Sequence, residues 1–204
     1  TTVNGAIAQA AGSTVTVGAI AGTQTATLNA GTADITLAEN TNNFDRVALT
    51  AGNVTLRDAN IITVGDSTIA ADLTMKVGGL PSQTGIATNG ALVVTGNVNL
   101  DSSSSAFSGI TIAHNSSIGG YLSAKTSGGS VSATTVGNLT VGNITNNATA
   151  TPIGGGSYTA ATATSAIDPV TGAVSIATSN FNAGAPSAPN VSSSGPSISF
   201  SSPT

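Results

Sequence analysis

Apolar and polar residues alternate along this chain in short runs, and one phrase keeps returning: an apolar residue, a threonine, an apolar residue. In extended backbone such a tripeptide sends its two apolar side chains to one face and the threonine to the other. Composition alone predicts on the order of two occurrences. Seven are present: Val15-Thr16-Val17, Ile35-Thr36-Leu37, Val54-Thr55-Leu56, Ile62-Thr63-Val64, Leu73-Thr74-Met75, Ile110-Thr111-Ile112 and Leu139-Thr140-Val141. Their spacing adds more than their number. The first residues of one set fall at Val15, Ile35, Val54, Leu73, Leu92 (with Val94) and Ile110, in steps of 20, 19, 19, 19 and 18 residues.

A strand returning at a fixed step is the mark of a solenoid, in which no coil can bury its apolar face alone and neighbouring coils pool theirs. A second series runs through Leu28, Val47 with Leu49, Ile69, Ile86 and Phe107. A third runs through Ile62, Leu80, Leu100, Ile118 and Leu139, so three short strands per coil would account for all of them. The pattern predicts an all-β fold, a right-handed parallel β-helix of about seven coils of about 19–20 residues over 1–153; right-handed winding follows the general rule for parallel crossovers. The expected core ladder is Val15, Val17, Ile35, Leu37, Val54, Leu56, Leu73, Met75, Leu92, Val94, Ile110 and Ile112.

Turn chemistry fits this reading. Gly52-Asn53, Gly96-Asn97, Gly137-Asn138 and Gly142-Asn143 stand just before strand-like runs, and both residue types tolerate left-handed backbone. Asp34, Asn53 and Asp72 share one phase ahead of the repeated strand, where short side chains could stack as a ladder between coils. Residues 154–204 read as an irregular extension or inter-subunit arm: Gly154-Gly155-Gly156, then Pro186, Pro189, Pro196 and Pro203, at a density that breaks a stacked ladder. Within it Ala173-Val174-Ser175-Ile176 and Ser197-Ile198-Ser199-Phe200 can form strands, and the latter is a candidate subunit contact.

Composition sharpens the class. Charged residues are only 6% of 204 while hydrophobics are 39%, with a net charge of −4. Charge-driven disorder pairs low hydropathy with high net charge, so it is excluded. Four basic residues (Arg46, Arg57, Lys76, Lys125) cannot neutralise a run of phosphates, which excludes a nucleic-acid partner. Zero cysteines exclude disulfides and thiolate sites, and no apolar run is long enough to insert in a membrane as a helix. The opening Thr1–Ala10 has neither an initiator Met nor the basic run of a signal peptide, so the chain reads as a processed product or a piece of something longer.

Candidate chemistry is thin. Asp34, Glu39, Asp45, Asp58, Asp66, Asp72 and Asp101 are the carboxylates of the coil region, mostly in turns rich in Gly or Asn, where they read as turn stabilisers rather than the acid and base of a glycosidase. Trp is absent and Tyr121 is the only Tyr there, so a sugar-binding cleft would lack aromatic platforms. His114 stands alone without a second His or Cys to complete a metal site. Neither a calcium-binding nonapeptide rhythm nor a phosphate loop is present. The reading is of no enzyme, no cofactor and no metal.

The segment Asn43-Phe44-Asp45-Arg46-Val47, through Gly52-Asn53-Val54-Thr55-Leu56-Arg57-Asp58-Ala59-Asn60, to Ala71-Asp72-Leu73-Thr74-Met75-Lys76-Val77-Gly78-Gly79 resembles the shaft repeats of filamentous haemagglutinin-like adhesins exported by two-partner secretion. The resemblance implies a right-handed β-helix, a bacterial cell-surface location and a fibrous or adhesive role without catalysis. Open coil ends are templates for another chain. The leading expectation is thus a structural subunit of an extracellular bacterial fibre, its partners copies of itself, joined by end-to-end stacking and strand pairing. One alternative is an adhesin shaft whose Thr, Ser and Asn ladders contact host or cell-surface glycans. Another, a pilin- or surface-layer-like β-sandwich, fits the fixed step poorly.

Overall fold

A computed structural model describes residues 4–18, 24–78, 85–104, 108–126, 128–136 and 139–146, together with short backbone strands at 158–160, 163–164, 166–167, 173–175, 181–183 and 198–201. Among them there is no helix, and up to residue 146 every strand pairing is parallel. The molecule is a β-solenoid, as the alternating phrase and the load of Thr, Val and Ile require.

The first sheet is built from Ile7–Ala8, Ile35–Leu37, Val54–Asp58, Leu73–Val77, Val98–Ser102, Tyr121–Thr126 and Thr140–Asn146. Its registered column runs Ile35, Val54, Leu73, Val98, Leu122, in steps of 19, 19, 25 and 24 residues. These are about four regular turns, rather than the seven equal ones expected. A wider coil precedes them, pairing Ile7 with Ile35, and a bulged rung follows, with the register slipping between Leu122 and Ala124.

The second sheet carries the rest of each coil and bends. In the coil that begins at Val54 its two halves are Ile61–Val64 and Ser67–Ile69, and in the next Gly85–Thr88 and Leu92–Val94. Both halves then merge in the long strand Ser108–Ile118. Three short strands per coil is therefore the arrangement of those two coils. A third, minor pairing joins Thr16–Val17 to Asn43–Phe44.

The expected single column divides here. Ile35, Val54 and Leu73 stack as read, but Leu92 pairs with Ser67, and Ile110 pairs with Ile86 in the second sheet. Val15 lies outside any strand, and Val17 belongs to the minor ladder. The physical reason is coil length: six and then five extra residues in the two coils after Leu73 put a tripeptide of identical pattern on another face. As core the assignment stands. Ile35, Leu37, Val54, Leu56, Leu73, Met75, Leu92, Val94, Ile110 and Ile112 are all buried, and Val15 and Val17 pack partly buried against them.

Two ends differ. Among the described residues Ile7–Ala8, Thr16–Val17 and Thr25–Asn29 each pair on one side only. At the other end Tyr158–Ala160 and Ala163–Thr164 pair antiparallel with Thr140–Asn146. Ile198–Ser201 lies parallel on Val131–Thr134 of its own chain. The strand expected at a subunit contact, Ile198, Ser199 and Phe200, thus forms the next rung of its own solenoid, and Ser197 lies outside the described residues. Leu80, Phe107 and Gly137-Asn138 also lie outside them.

Candidate functional site: the outer face of the first sheet

The registered rungs of the first sheet arrange its outward side chains in three columns. The first stands at the corner entering the sheet: Asp34, Asn53, Asp72, Asn97 and Tyr121. Each of the first four accepts a backbone N–H from the coil below: Asn53 N–H to Asp34 Oδ1 at 2.8 Å, Asp72 N–H to Asn53 Oδ1 at 3.2 Å, Asn97 N–H to Asp72 Oδ1 at 2.7 Å, and Tyr121 N–H to Asn97 Oδ1 at 3.2 Å. The Asx ladder suggested by Asp34, Asn53 and Asp72 exists and is longer. Its side chains bond the next coil's backbone, so they set register as well as turn shape. The backbone N–H of Asn53, then its side-chain amide, hold the Asp34 carboxyl below the usual carboxylate range.

Glycine at this corner serves close approach. A Cβ at Gly96 would lie 2.2 Å from Asp72 Oδ1 and 2.7 Å from the Ala71 carbonyl oxygen, while one at Gly52 would lie 2.5 Å from that of Thr32. Left-handed backbone, the reason expected for the Gly-Asn pairs, occurs at other glycines, among them Gly18 and Gly78. Gly142-Asn143 sits inside the strand Thr140–Asn146 rather than before it.

The middle column is Thr36, Thr55, Thr74, Asn99 and Ser123, one hydroxyl or amide per rung at the spacing of about 4.8 Å set by parallel pairing. The third is Arg57, Lys76, Asp101 and Lys125. Lys76 Nζ lies 3.0 Å from Asp101 Oδ2, and Asp101 Oδ1 accepts from Ser103 N–H at 3.0 Å and Ser103 Oγ–H at 2.6 Å. Burial alone would raise the Asp101 pKa, but the Ser103 bonds and Lys76 outweigh it and hold it low. Thr74, Lys76, Asn99, Asp101, Ser123 and Lys125 enclose an open groove of about 340 Å³, with Met75, Leu100 and Ala124, whose side chains turn inward, at its floor.

Three of the remaining carboxylates bond main chain. Glu39 accepts Gly12 N–H, Asp66 accepts Ala91 N–H, and buried Asp58 accepts both Phe44 N–H at 2.6 Å and Asn60 N–H at 2.8 Å. Burial, its largest influence, raises the Asp58 pKa to about 6 against those two bonds. Asp45 is half-buried and faces Gly18. Exposed His114 and Asn115 have left-handed backbone where the register slips within the strand Ser108–Ile118, and among the described residues no three His, Cys, Asp or Glu side chains are grouped to hold a metal ion. The sequence reading did not find the charged column. Its residues are spaced 19, 25 and 24 apart, and only the register brings them together.

Parallel rungs, a shared apolar interior and a regular outer face define a β-solenoid repeat protein. Residues 1–50 and 51–114 each match the family described as repeats of unknown function (DUF5649), and the chain belongs to that family. The boundary between the matches falls at the end of the strand Arg46–Ala51, just before the corner at Gly52-Asn53. The first match therefore holds the rungs of Ile7 and Ile35, and the second those of Val54, Leu73 and Val98. Comparison with curated proteins and with solved structures found no match.

Proposed function

We propose that this chain is a shaft segment of a bacterial cell-surface protein, an extracellular β-solenoid spacer of the adhesin type that meets glycans through the outer face of its first sheet and catalyses nothing. The observation that carries this reading is the grooved grid of Thr74, Asn99 and Ser123 beside Lys76, Asp101 and Lys125. Hydroxyl and amide groups fixed at backbone spacing are pre-ordered donors and acceptors, so a polymer lying along them binds with little ordering cost on the protein side. The likeness of residues 43–79 to haemagglutinin-like shaft repeats supports the location. Glycan-array binding by the monomeric chain tests it: retention of a saccharide, reduced in a Thr74→Ala/Asn99→Ala/Ser123→Ala variant of unchanged melting temperature, is the expected result. Retention of no saccharide, or equal retention by the variant, overturns the glycan role.

A second reading, the self-assembling fibre subunit, draws on the one-sided strands Ile7–Ala8, Thr16–Val17 and Thr25–Asn29. It requires Ile198–Ser201 to leave its own rung on Val131–Thr134 and pair with the next copy. Negative-stain images of concentrated protein decide: filaments support this reading, and short particles of monomer mass end it.

A further inference from the structure

We infer that the Arg57–Lys76–Lys125 column with its hydroxyl-bearing neighbours is a binding site for an acidic polysaccharide, running along the solenoid axis. This rests on the glycan reading above and narrows it to a ligand class.

The chain carries a net charge of −4 and only four Lys and Arg. Three of those four point outward in one column of one sheet. The fourth, Arg46, lies in the second sheet. Arg57 and Lys76 are registered neighbours on adjacent rungs, and like charges placed so repel. Asp101 is the only anion in the column, and it is already engaged by Lys76 and Ser103. Buried Arg57 Nε has no hydrogen-bond partner among the described residues. Lys125 is exposed, two rungs beyond Lys76, and among the described residues no ion pair holds it. The column therefore holds uncompensated positive charge over about 14 Å of axis, four rungs at parallel spacing.

What stands beside it selects the kind of anion. Thr74, Asn99 and Ser123 line the same groove, and Tyr121, 41% exposed, begins the rung that carries Ser123 and Lys125. A Cβ at Gly142 would lie 2.9 Å from Tyr121 Cδ2, so the ring rests over that glycine. Cations and hydroxyls in one open groove, with an aromatic ring on the same outer face, fit a chain bearing carboxylates or sulfates among many hydroxyls. Lys supplies point charges, and exposed charge pairs are screened by salt.

The test is titration of the full chain with polygalacturonate, heparin, neutral dextran and duplex DNA, by calorimetry at low and raised salt. Expected is binding of one or both acidic polysaccharides at least tenfold tighter than dextran, weakened by salt. Lys76→Gln/Lys125→Gln should lose at least tenfold, and Arg46→Gln should stay within twofold of the parent. Polygalacturonate and heparin separate carboxylate from sulfate recognition. Dextran bound as tightly as the acidic polymers, and unaffected by the Lys variants, overturns the acidic assignment while the glycan reading survives. No saccharide bound at all overturns both. DNA bound as tightly, and lost in the same variants, overturns the saccharide assignment, because the column then reads charge alone. Equal melting temperatures of parent and Gln variants establish that any loss arises at the site.

Discussion

The two sheets of this solenoid solve the same stacking problem differently. The first keeps strict register from Ile35 to Leu122, with apolar residues on apolar residues through most of each rung, buried Asp58, Ser102 and Thr126 at the ends of its strands, and a ladder of Asx side chains at its corner. The second bends, and at its bend small polar residues enter the interior. Ser67 Oγ accepts Leu49 N–H at 3.0 Å and donates to the Gly65 carbonyl; Ser116 Oγ accepts Leu92 N–H at 3.1 Å. A bend interrupts the main-chain ladder, and a buried N–H left without a partner costs about 1–3 kcal/mol. Inward hydroxyls supply the missing acceptors. The lesson is that straight rungs keep their outward side chains in registered columns, which is why the proposed polymer site is placed on the first sheet.

Breaking the stacked core should have the largest effect. Leu73→Ala, between Val54 and Val98, should cost about 2–5 kcal/mol in denaturant unfolding. Leu92→Ala should fall in the lower half of that range, because its stacked neighbours are Ser67 and Ser116 and fewer apolar contacts are lost. Next comes the buried carboxyl closing the first sheet. Asp58 has its pKa raised from 3.8 to about 6, so between those values the folded chain binds more protons than the unfolded one and stability falls as pH rises. The loss from pH 3 to pH 7 through this group is about 3 kcal/mol. Asp58→Asn should flatten that slope in melts across the range, and an unchanged slope would assign it to other groups. Smallest is Ser116→Ala, which leaves Leu92 N–H without its acceptor and should cost about 1–3 kcal/mol. A cost near zero would mean that the bend does not depend on that hydroxyl.

Much of the first sheet was legible in the sequence. Ile35, Val54 and Leu73 repeat at 19 residues and do stack, and Asp34, Asn53 and Asp72 form the ladder that their common phase suggested. The rest failed because the coils are unequal. The first spans 28 residues, from Ile7 to Ile35, and two later ones lengthen from 19 to 25 and 24, so the next tripeptides kept a step near 19 in sequence while moving to another sheet. The same drift hid Asn97 from the ladder, although its pairing with Gly96 marked a turn. It also hid the cationic column, since Lys76, Asp101 and Lys125 share no fixed period. Four basic residues are too few for a phosphate footprint when counted along a chain. Three gathered in one column of one face carry the site proposed above.

The most direct test of the architecture uses the absence of native cysteines. Neighbouring rungs place paired Cα atoms within the span a disulfide can bridge. Under mild oxidation Thr74→Cys/Asn99→Cys should crosslink within the folded monomer, as the register pairs these positions. Thr74→Cys/Val93→Cys, the pair that an unbroken 19-residue step would bring together, should remain reduced. Crosslinking of Thr74 with position 93 and not with position 99 would contradict the stacking described here and dissolve the charged column with it.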